Sequence, residues 1–322
     1  MQLTDETVAA TVKADFLVAL AQKGETPEEI AAFAAALREK SLPLPLEKNW
    51  RESREIIDIV GTGGDQLGTF NISTTAAILC AAAGVTVAKH GNRAVTSQSG
   101  SADVLEALGI RIDLNPEEAA RELSEKNFAF LFAPNFHPAF KHIAPARKLC
   151  AERGRRTIFN LLGPLLNPAR PSAMLVGVPR AELCEPLAKV LQTLGVRRGM
   201  VVCGTVATFK LDELSTLGEN TVAEFYHERG FTTSGLSLEH FPLQSATLED
   251  LLGGDKFQNA KMTRRILLGE DRSPKRDAVL LNAGAALFVA GKTRSLIEGW
   301  ELAGEVIDSG KASAKLKELS GS

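Results

Sequence analysis

A glycine-rich turn directly after a short apolar run constrains this sequence more than any other feature. The run at 56–60 is β-branched and brief, and GTGGD at 61–65 ends it, which predicts a buried strand followed by a turn. Glycines in such a turn allow positive φ angles and a close approach of the backbone to a ligand. The segment NIST at 71–74 predicts a helix start, with Asn71 and Ser73 as candidate caps. Because helix amino ends attract anions, the sequence predicts a phosphate site here.

Two further polar clusters follow the glycine-rich turn. KHGNR at 89–93 ends a strand-like run at 85–88, and TSQSGSAD at 96–103 precedes a predicted helix at 104–108. In an open α/β sheet the ligand crevice lies beyond the carboxyl ends of the strands, so polar turns after neighbouring strands should face one cleft. We therefore expect all three segments to build one hydroxyl-lined phosphate site.

The composition is that of a soluble globular chain. Of the 322 residues, 44% are hydrophobic and 24% are charged, and the net charge of −2 gives no general attraction for nucleic acid. No segment has the pattern of a signal peptide or the run of about 18 apolar residues that spans a bilayer. The cysteines at 80, 150, 184 and 203 lack zinc-site spacing, and we expect buried reduced thiols. These features predict a cytoplasmic protein that binds neither nucleic acid nor membranes.

From residue 54 onward, strand-like runs alternate with helical segments. This alternation predicts a mostly parallel sheet flanked by helices, within one large α/β unit that has a smaller companion. The clearest further strands are predicted at 85–88, 128–132, 174–178 and 200–203. Helices are predicted after Asn115 and over 277–290.

The first fifty residues are predicted to form the smaller, helical unit. Val8, Val12, Phe16 and Leu20 recur at intervals of four, which predicts a helix that buries this face.

A second helix is predicted from Thr26, because a proline and a capping-box glutamate follow it and an apolar face continues to Leu37. The proline-rich segment at 41–50 is a predicted linker. We therefore place a helical domain at 1–52 and an α/β domain at 53–322.

The order of these motifs resembles the anthranilate phosphoribosyltransferase family of the tryptophan pathway. The resemblance extends over about 15–316 and implies a small N-terminal helical domain, joined by part of 137–167, beside a large α/β domain with a mostly parallel sheet. It also implies transfer of the phosphoribosyl group of 5-phosphoribosyl 1-pyrophosphate to anthranilate, with release of pyrophosphate. The matching blocks are GTGGD, NIST, VAKHGNR, SGSADVLEALG, FAPNFHPA, RTIFNLLGPLLNPAR, LDELS and VIDSGKA.

The resemblance further implies roles for individual residues. Lys89, Asn92 and Arg147 would be the catalytic residues. Ser73, Asp212 and Glu213 would hold Mg²⁺, a hard cation that prefers oxygen ligands. The residues implied to bind the two substrates are Gly61, Gly64, Asp65, Thr69, Asn71, Ile72, Ser73, Thr74, Lys89, His90, Gly91, Asn92, Arg93, Ser97, Ser101, His137 and Arg147.

The chemistry of three of these residues is consistent with such roles. Lys89 offers a mobile point charge for phosphate, and the Arg147 guanidinium can bind the anthranilate carboxylate in a bidentate way. His137 would line the mouth of the acceptor site. We see no strong general base, and anthranilate does not need one because its amine is neutral at pH 7.

Two departures from the family pattern set further expectations. The family usually has an additional helix before the one that starts near Thr4, in a region that takes part in dimer contacts. This helix is not apparent here, so we expect a homodimer that is weakened. The segment GTVATFK at 204–210 also differs from the short glycine-and-aspartate turn that is common there.

Two alternative functions remain open from the residues. A pyrimidine nucleoside phosphorylase would share the helical domain and a glycine-rich phosphate turn, but its phosphate motif differs from GTGGD followed by NIST. A catalytically silent relative that binds nucleic acid should have lost the donor motifs and gained a basic face.

Overall fold

The computed structural model describes residues 2–65, 67–94, 98–227 and 232–321. The strands are β1 (Ile56–Gly61), β2 (Thr86–Gly91), β3 (Phe128–Phe132), β4 (Ala173–Gly177), β5 (Arg198–Val206), β6 (Phe209–Leu211), β7 (Asn220–Tyr226) and β8 (Thr232–Leu236). The helices of the first half are α1 (Ala10–Lys23), α2 (Pro27–Arg38), α3 (Lys48–Glu52), α4 (Ile72–Ala82), α5 (Ser101–Ala107), α6 (Pro116–Lys126) and α7 (Ala133–Phe136). Those of the second half are α8 (Ala144–Glu152), α9 (Phe159–Leu165), α10 (Cys184–Thr193), α11 (Leu248–Leu251), α12 (Lys256–Leu267), α13 (Pro274–Val289), α14 (Leu296–Asp308) and α15 (Lys311–Ser320).

One sheet organises the fold, in the order β3, β2, β1, β4, β5, β7, β8. The strands from β3 to β5 are parallel, whereas β5, β7 and β8 pair antiparallel and β6 folds back on β5. The prediction of a mostly parallel sheet is therefore confirmed. Strand order reverses at β1, which lies between β2 and β4. A crevice forms outside the carboxyl ends of the strands at such a switch point.

Hydrophobic clusters cover both faces of the sheet. On one face, α4, α13 and α14 pack against strand residues such as Ile57, Ile59 and Leu175. On the other face, α1, α2, α8 and α9 share a cluster with Met174 and Val176. Helices α8 and α9, in the segment that follows β3, pack in the same cluster as α1 and α2. The predicted fold class is confirmed. The domain boundary at residue 52 stays a prediction, because the helical core continues onto the sheet.

The buried face of α1 differs from the predicted one. Val12 is 59% exposed and Phe16 is 48% exposed, whereas Ala14 and Leu17 are buried against α8. Residues spaced by four drift around a helix of 3.6 residues per turn, and α8 contacts the neighbouring stripe instead. The Cys150 thiol, on α8, lies 3.7 Å from the carbonyl oxygen of Ala14. The prediction for Val12 and Phe16 was therefore wrong.

The second helix forms as predicted. The Glu29 amide donates to the Thr26 hydroxyl at 3.3 Å, and the Thr26 amide donates to the Glu29 carboxylate at 3.0 Å. The predicted linker at 41–50 is irregular as far as residue 47, and α3 begins within its end. The four cysteines are free and buried, as expected. Among the described residues, no helix has the length and apolar character that crossing a membrane requires.

Candidate active site

The glycine-rich turn lies at the carboxyl end of β1, beside the ends of β2 and β4. Its amides point at a carboxylate that follows β6: the Gly63 amide donates to Oδ2 of Asp212 at 2.5 Å, and the Gly64 amide lies 3.4 Å from the same oxygen. Gly63 has a φ of +74°, a conformation that glycine adopts readily. The turn therefore presents its amides to an oxygen atom of a carboxyl side chain of the protein.

Two glycines make room for Asp212. A Cβ atom on Gly61 would lie 2.8 Å from Oδ2 of Asp212, and one on Gly177 would lie 1.6 Å from its carbonyl oxygen. A carbon atom cannot lie 1.6 Å from a backbone oxygen, so Gly177 must be glycine, whereas a side chain at Gly61 would displace the Asp212 carboxylate. Sequence reasoning missed Gly177, at the end of β4, although a glycine that ends a buried strand next to a predicted site signals close backbone approach.

Three carboxylates converge on the turn. The Asp212 amide lies 3.4 Å from Oδ2 of Asp65, and Oε1 of Glu213 accepts a hydrogen bond from the Ser73 amide at 3.2 Å. Burial raises the pKa of Asp212 well above its usual range, and the charges of Asp65 and Glu213 add to this effect. Burial likewise raises the pKa of Glu213 to about 7, although Lys89 opposes the shift.

This acidic cluster fits a hard divalent cation. Ser73, Asp212 and Glu213 offer oxygen atoms only, and a cation would offset the repulsion between carboxylates that adds to the effect of burial on the two pKa values. Among the described residues, no group of three or more His, Cys, Asp or Glu side chains is placed to hold a metal ion by itself. Mg²⁺ usually keeps several waters and shares substrate phosphates rather than taking all its ligands from protein.

The segment at 204–210 brings the acidic residues to the turn. It extends β5 and returns as β6, with Gly204 opposite Leu211, so that Asp212 directly follows a paired strand. Phe209 lies at the tip of this hairpin and is 59% exposed.

The contacts at the start of α4 differ from those that the sequence predicts. Asn71 occupies the cap position, but its side chain does not cap the helix. Its Nδ2 donates to the Ser99 carbonyl at 3.2 Å, and its Oδ1 accepts from Nδ2 of Asn259 at 2.8 Å. Ser73 lies within the first turn, where Glu213 accepts from its amide. The capping prediction was therefore wrong, and Asn259, on α12, was missed.

Lys89 is buried rather than mobile. Its side chain is 2% exposed, and its ammonium group donates to the Ile59 carbonyl at 2.6 Å. Burial lowers the pKa of Lys89, while the charges of Asp58 and Glu213 raise it. The expected mobile point charge is thus a fixed one, because the lysine belongs to a strand with packed faces.

Asp58 supports this lysine and was missed by sequence reasoning. It is fully buried, and its Oδ2 accepts from Nδ2 of Asn167 at 2.8 Å. Burial raises the pKa of Asp58 to about 6, although Lys89 and Asn167 oppose the shift. An aspartate inside an otherwise apolar strand was the available signal, because a buried carboxylate requires partners.

His90 and His137 form a buried pair, with 3.1 Å between their Nε2 atoms. Burial is the main cause that lowers the pKa of His90 to about 3 and that of His137 to about 4, so both rings are neutral at pH 7. Within the described structure, Nδ1 of His137 is buried and has no hydrogen-bond partner. His137 therefore lies beneath the surface with one polar atom unused.

The remaining residues of the second and third polar clusters lie around the start of α5. A Cβ on Gly91 would lie 2.6 Å from the Ser101 hydroxyl, which places these two residues in contact. The Asn92 carbonyl accepts from the Ala102 amide at 3.3 Å. Arg93 is exposed and pairs with Asp103 and with Glu106, each at 2.9 Å. Ser97 and Thr96 lie outside the described residues.

Other predicted site residues are more scattered. Ile72 and Thr74 are buried within α4, and Thr69 forms a bridge with Leu252. Arg147 is exposed on α8, with its guanidinium carbon 5.4 Å from the centre of the Phe159 ring. No hydrogen bond or ion pair in the described structure joins Arg147 to the turn. The structure therefore brings together Gly61, Gly64, Asp65, Ser73, Asp212 and Glu213, with Lys89 nearby.

The chain is similar to known protein families. Residues 53–313 match the glycosyl transferase family, a/b domain, and residues 1–41 match the glycosyl transferase family, helical bundle domain. The chain is 50% identical over 304 residues to anthranilate phosphoribosyltransferase of Petrotoga mobilis, a match that covers 94% of this chain and 85% of that one.

Solved structures agree with the sequence matches. The crystal structure of anthranilate phosphoribosyltransferase from Thermus thermophilus is similar to this chain with a TM-score of 0.90 and 47% identity, over 99% of this chain and 92% of that one. The enzyme from Saccharomyces cerevisiae in complex with PRPP and Mg is similar with a TM-score of 0.85 and 31% identity, over 97% of this chain and 85% of that one.

Proposed function

The chain belongs to the anthranilate phosphoribosyltransferase family, and from this premise we propose how its cleft serves the reaction. The reaction transfers the phosphoribosyl group of 5-phosphoribosyl 1-pyrophosphate to the amine of anthranilate, a step of L-tryptophan biosynthesis. One observation carries the proposal for the site. The acidic residue Asp212 lies on the amides of the glycine-rich turn, so anion-binding donors and candidate metal ligands meet at the end of β1.

The donor's phosphate groups are assigned to this turn and to the start of α4. The amides of Gly63 and Ser73 already donate to carboxylates, and the same donors suit phosphate oxygens. Lys89 adds a fixed positive charge nearby. Mg²⁺, held by Ser73, Asp212 and Glu213, would offset charge on the pyrophosphate. The complex of the yeast relative with PRPP and Mg supports this assignment.

The chemical step is a displacement at the anomeric carbon of the ribose. A bond forms between this carbon and the anthranilate nitrogen, the bond to the pyrophosphate oxygen breaks, and its electron pair leaves with pyrophosphate. The amine then loses one proton to solvent water. The protein contributes by positioning the two substrates and by directing Lys89 and the turn amides at the developing negative charge.

The acceptor is assigned to the side of the cleft that faces α8. Arg147 is exposed there, and its guanidinium can bind a carboxylate through two parallel hydrogen bonds. Asn92 would contact the acceptor from the end of β2.

A homodimer in the cytoplasm is also part of the proposal. Val12 and Phe16 are exposed on α1, and the Phe16 ring lies 6.3 Å from that of Phe33 on α2. An apolar strip of this kind favours burial against a second copy. Buried free thiols suit a reducing compartment.

Steady-state kinetics with each substrate varied in turn tests the division of the cleft. Arg147→Ala should raise the KM for anthranilate by about tenfold or more, because a charge-assisted hydrogen bond is lost, and should leave the KM for the donor near its original value. Lys89→Met should impair use of the donor instead. Lys148→Ala, the exposed neighbour on α8, is the control. If Arg147→Ala and Lys89→Met each changed the KM for anthranilate and the KM for the donor equally, the assignment would be contradicted.

A further inference from the structure

Arg156 reaches the donor turn from the helical side of the cleft. It lies in the loop between α8 and α9, and its Nη2 donates to the carbonyl oxygen of Gly64 at 3.3 Å. This is a contact between the segment that completes the helical unit and the turn that follows β1. The residue stands in the motif RTIFN, to which the site described above gives no role.

The loop that carries Arg156 is held by its backbone on both sides. The Arg155 amide donates to the Cys150 carbonyl at 3.0 Å, and the Thr157 amide donates to Oδ1 of Asn160 at 2.9 Å. Cys150 itself packs against Ala14 of α1. The position of the Arg156 backbone is therefore tied to the core of the helical unit.

The turn needs such a support because glycines give it little intrinsic rigidity. Gly63 and Gly64 are adjacent, and a peptide unit between or after glycines can rotate at low steric cost. The carbonyl and the amide of one trans peptide point in opposite directions, so holding the Gly64 oxygen also fixes the direction of the following amide. Gly64 is further confined by Pro179, whose Cγ atom would lie 3.1 Å from a Cβ at this position.

The charge of Arg156 is also available. In the part of the chain that the structure describes, no Asp or Glu carboxylate lies within the 4 Å of an ion pair with its guanidinium, and the side chain is exposed. By contrast, Arg153 in the same loop pairs with Asp15 at 2.6 Å. Arg156 is thus a free cation next to a turn that must hold a highly charged anion.

We propose that Arg156 is a positioning residue for the phosphoribosyl donor: it fixes the Gly64 peptide and couples the helical unit to the glycine-rich turn. The proposal rests on the proposed function, because it assigns the turn to the donor. It predicts that loss of the guanidinium weakens binding of pyrophosphate groups and leaves the anthranilate pocket intact.

The test compares Arg156→Ala, Arg156→Lys and Arg155→Ala. Arg155 is the matched control, since it is the exposed neighbour in the same loop and no contact of its side chain is seen among the described residues. Binding of inorganic pyrophosphate in the presence of Mg²⁺ is measured by titration calorimetry, and the KM of each substrate is measured with the full-length enzyme.

Arg156→Ala should weaken pyrophosphate binding and raise the KM for 5-phosphoribosyl 1-pyrophosphate, each by about tenfold, because a hydrogen bond from a charged group is lost. The KM for anthranilate should change by less than about twofold. Arg156→Lys should recover part of the lost pyrophosphate affinity, because lysine restores the positive charge but lacks the planar guanidinium group. Wild-type binding in both Arg156 variants, or equal losses for both substrates together with a lowered melting temperature, would overturn the proposal. Absence of turnover in the wild-type enzyme would instead count against the proposed function.

Discussion

The Asp212 carboxylate accepts a hydrogen bond from the Gly63 amide at 2.5 Å. The same amide is one that a phosphate group of the donor would use, and the same carboxylate is one that Mg²⁺ would use. In the structure this amide and this carboxylate are hydrogen-bonded to each other. Mg²⁺ would draw the Asp212 carboxylate away from the Gly63 amide, and a phosphate group would draw the amide away from the carboxylate. Binding of the metal and binding of pyrophosphate should therefore be linked.

Asp212→Ala should change this linkage in a measurable way. Without the carboxylate, the Gly63 amide is free, so the affinity for pyrophosphate in EDTA should rise by roughly fivefold to tenfold, as expected for removing one competing charged acceptor. The gain in affinity that Mg²⁺ gives the wild-type protein should shrink. Calorimetric titration of pyrophosphate with and without Mg²⁺ measures both effects. Asp113→Ala, an exposed aspartate at 79% side-chain exposure, is the control. An unchanged response to Mg²⁺ in Asp212→Ala would argue against a shared role for this carboxylate.

Glu213 should make the stability of the protein depend on pH. Its pKa rises from an ordinary 4.5 to about 7 on folding, mainly through burial. The folded state therefore holds the proton more tightly, and the free energy of unfolding contributed by Glu213 should fall as pH rises from about 4.5 to about 7, by on the order of 3 kcal/mol.

Glu213→Gln carries no titrating group at this position, so its stability relative to the wild type should increase over that window and level off above pH 7. Urea denaturation at a series of pH values, without divalent cations, measures the difference. A difference that stays constant from pH 4.5 to pH 7.5 would show that the carboxyl does not titrate as described. Stabilisation by Mg²⁺ with pyrophosphate should increase over the same range, because a metal ligand must be ionised.

Much of the fold followed from local patterns. The strand before GTGGD, the capped helix after Thr26 and the alternation of strands and helices were all readable, because each depends on neighbouring residues. The buried face of α1 was not, since α8, more than a hundred positions away, decides which stripe is covered. Local spacing by four was compatible with either face.

The candidate site, like the fold, could be predicted from the sequence only in part. The polar turns could be placed at one sheet edge, since parallel strands end together. Asp58 and Gly177 carried a sequence signal, but their partners could not be assigned, because Asp58, Asn167 and Gly177 act on Lys89 and Asp212 through contacts between residues distant in sequence. The prediction of a mobile Lys89 failed for that reason: its burial comes from tertiary packing, and charge alone does not report it.

Gly177→Ala should disable the candidate active site, although Gly177 lies at the end of β4 and has no polar side chain. The added Cβ would lie 1.6 Å from the Asp212 carbonyl, so the segment after β6 must move. We expect a loss of about 1–3 kcal/mol in the free energy of unfolding and loss of Mg²⁺-dependent pyrophosphate binding.

Gly163→Ala is the matched control for that variant, because a Cβ at Gly163 in α9 meets nothing within 4 Å. It should be neutral or more stable, since alanine favours a helix over glycine. If both glycine variants bound pyrophosphate equally, close packing at Gly177 would not be needed for the site.

Phe16→Glu should weaken self-association through the apolar strip on α1. Phe16 is 48% exposed, and the substitution would place a charge within the proposed contact. Sedimentation velocity over a range of concentrations measures the shift from dimer to monomer. Phe257→Glu tests a phenylalanine that is 67% exposed on α12 and should leave association unchanged. A wild-type protein that sediments as a monomer at all concentrations would remove the basis for a homodimer.

The loss of anthranilate fluorescence on mixing the purified protein with 5-phosphoribosyl 1-pyrophosphate and Mg²⁺ tests the central claim most directly. We expect a loss that depends on the protein, is matched by release of pyrophosphate, is abolished by EDTA and is strongly reduced in Asp65→Ala. Folded wild-type protein that binds pyrophosphate but leaves anthranilate fluorescence unchanged would contradict the assignment of the acceptor.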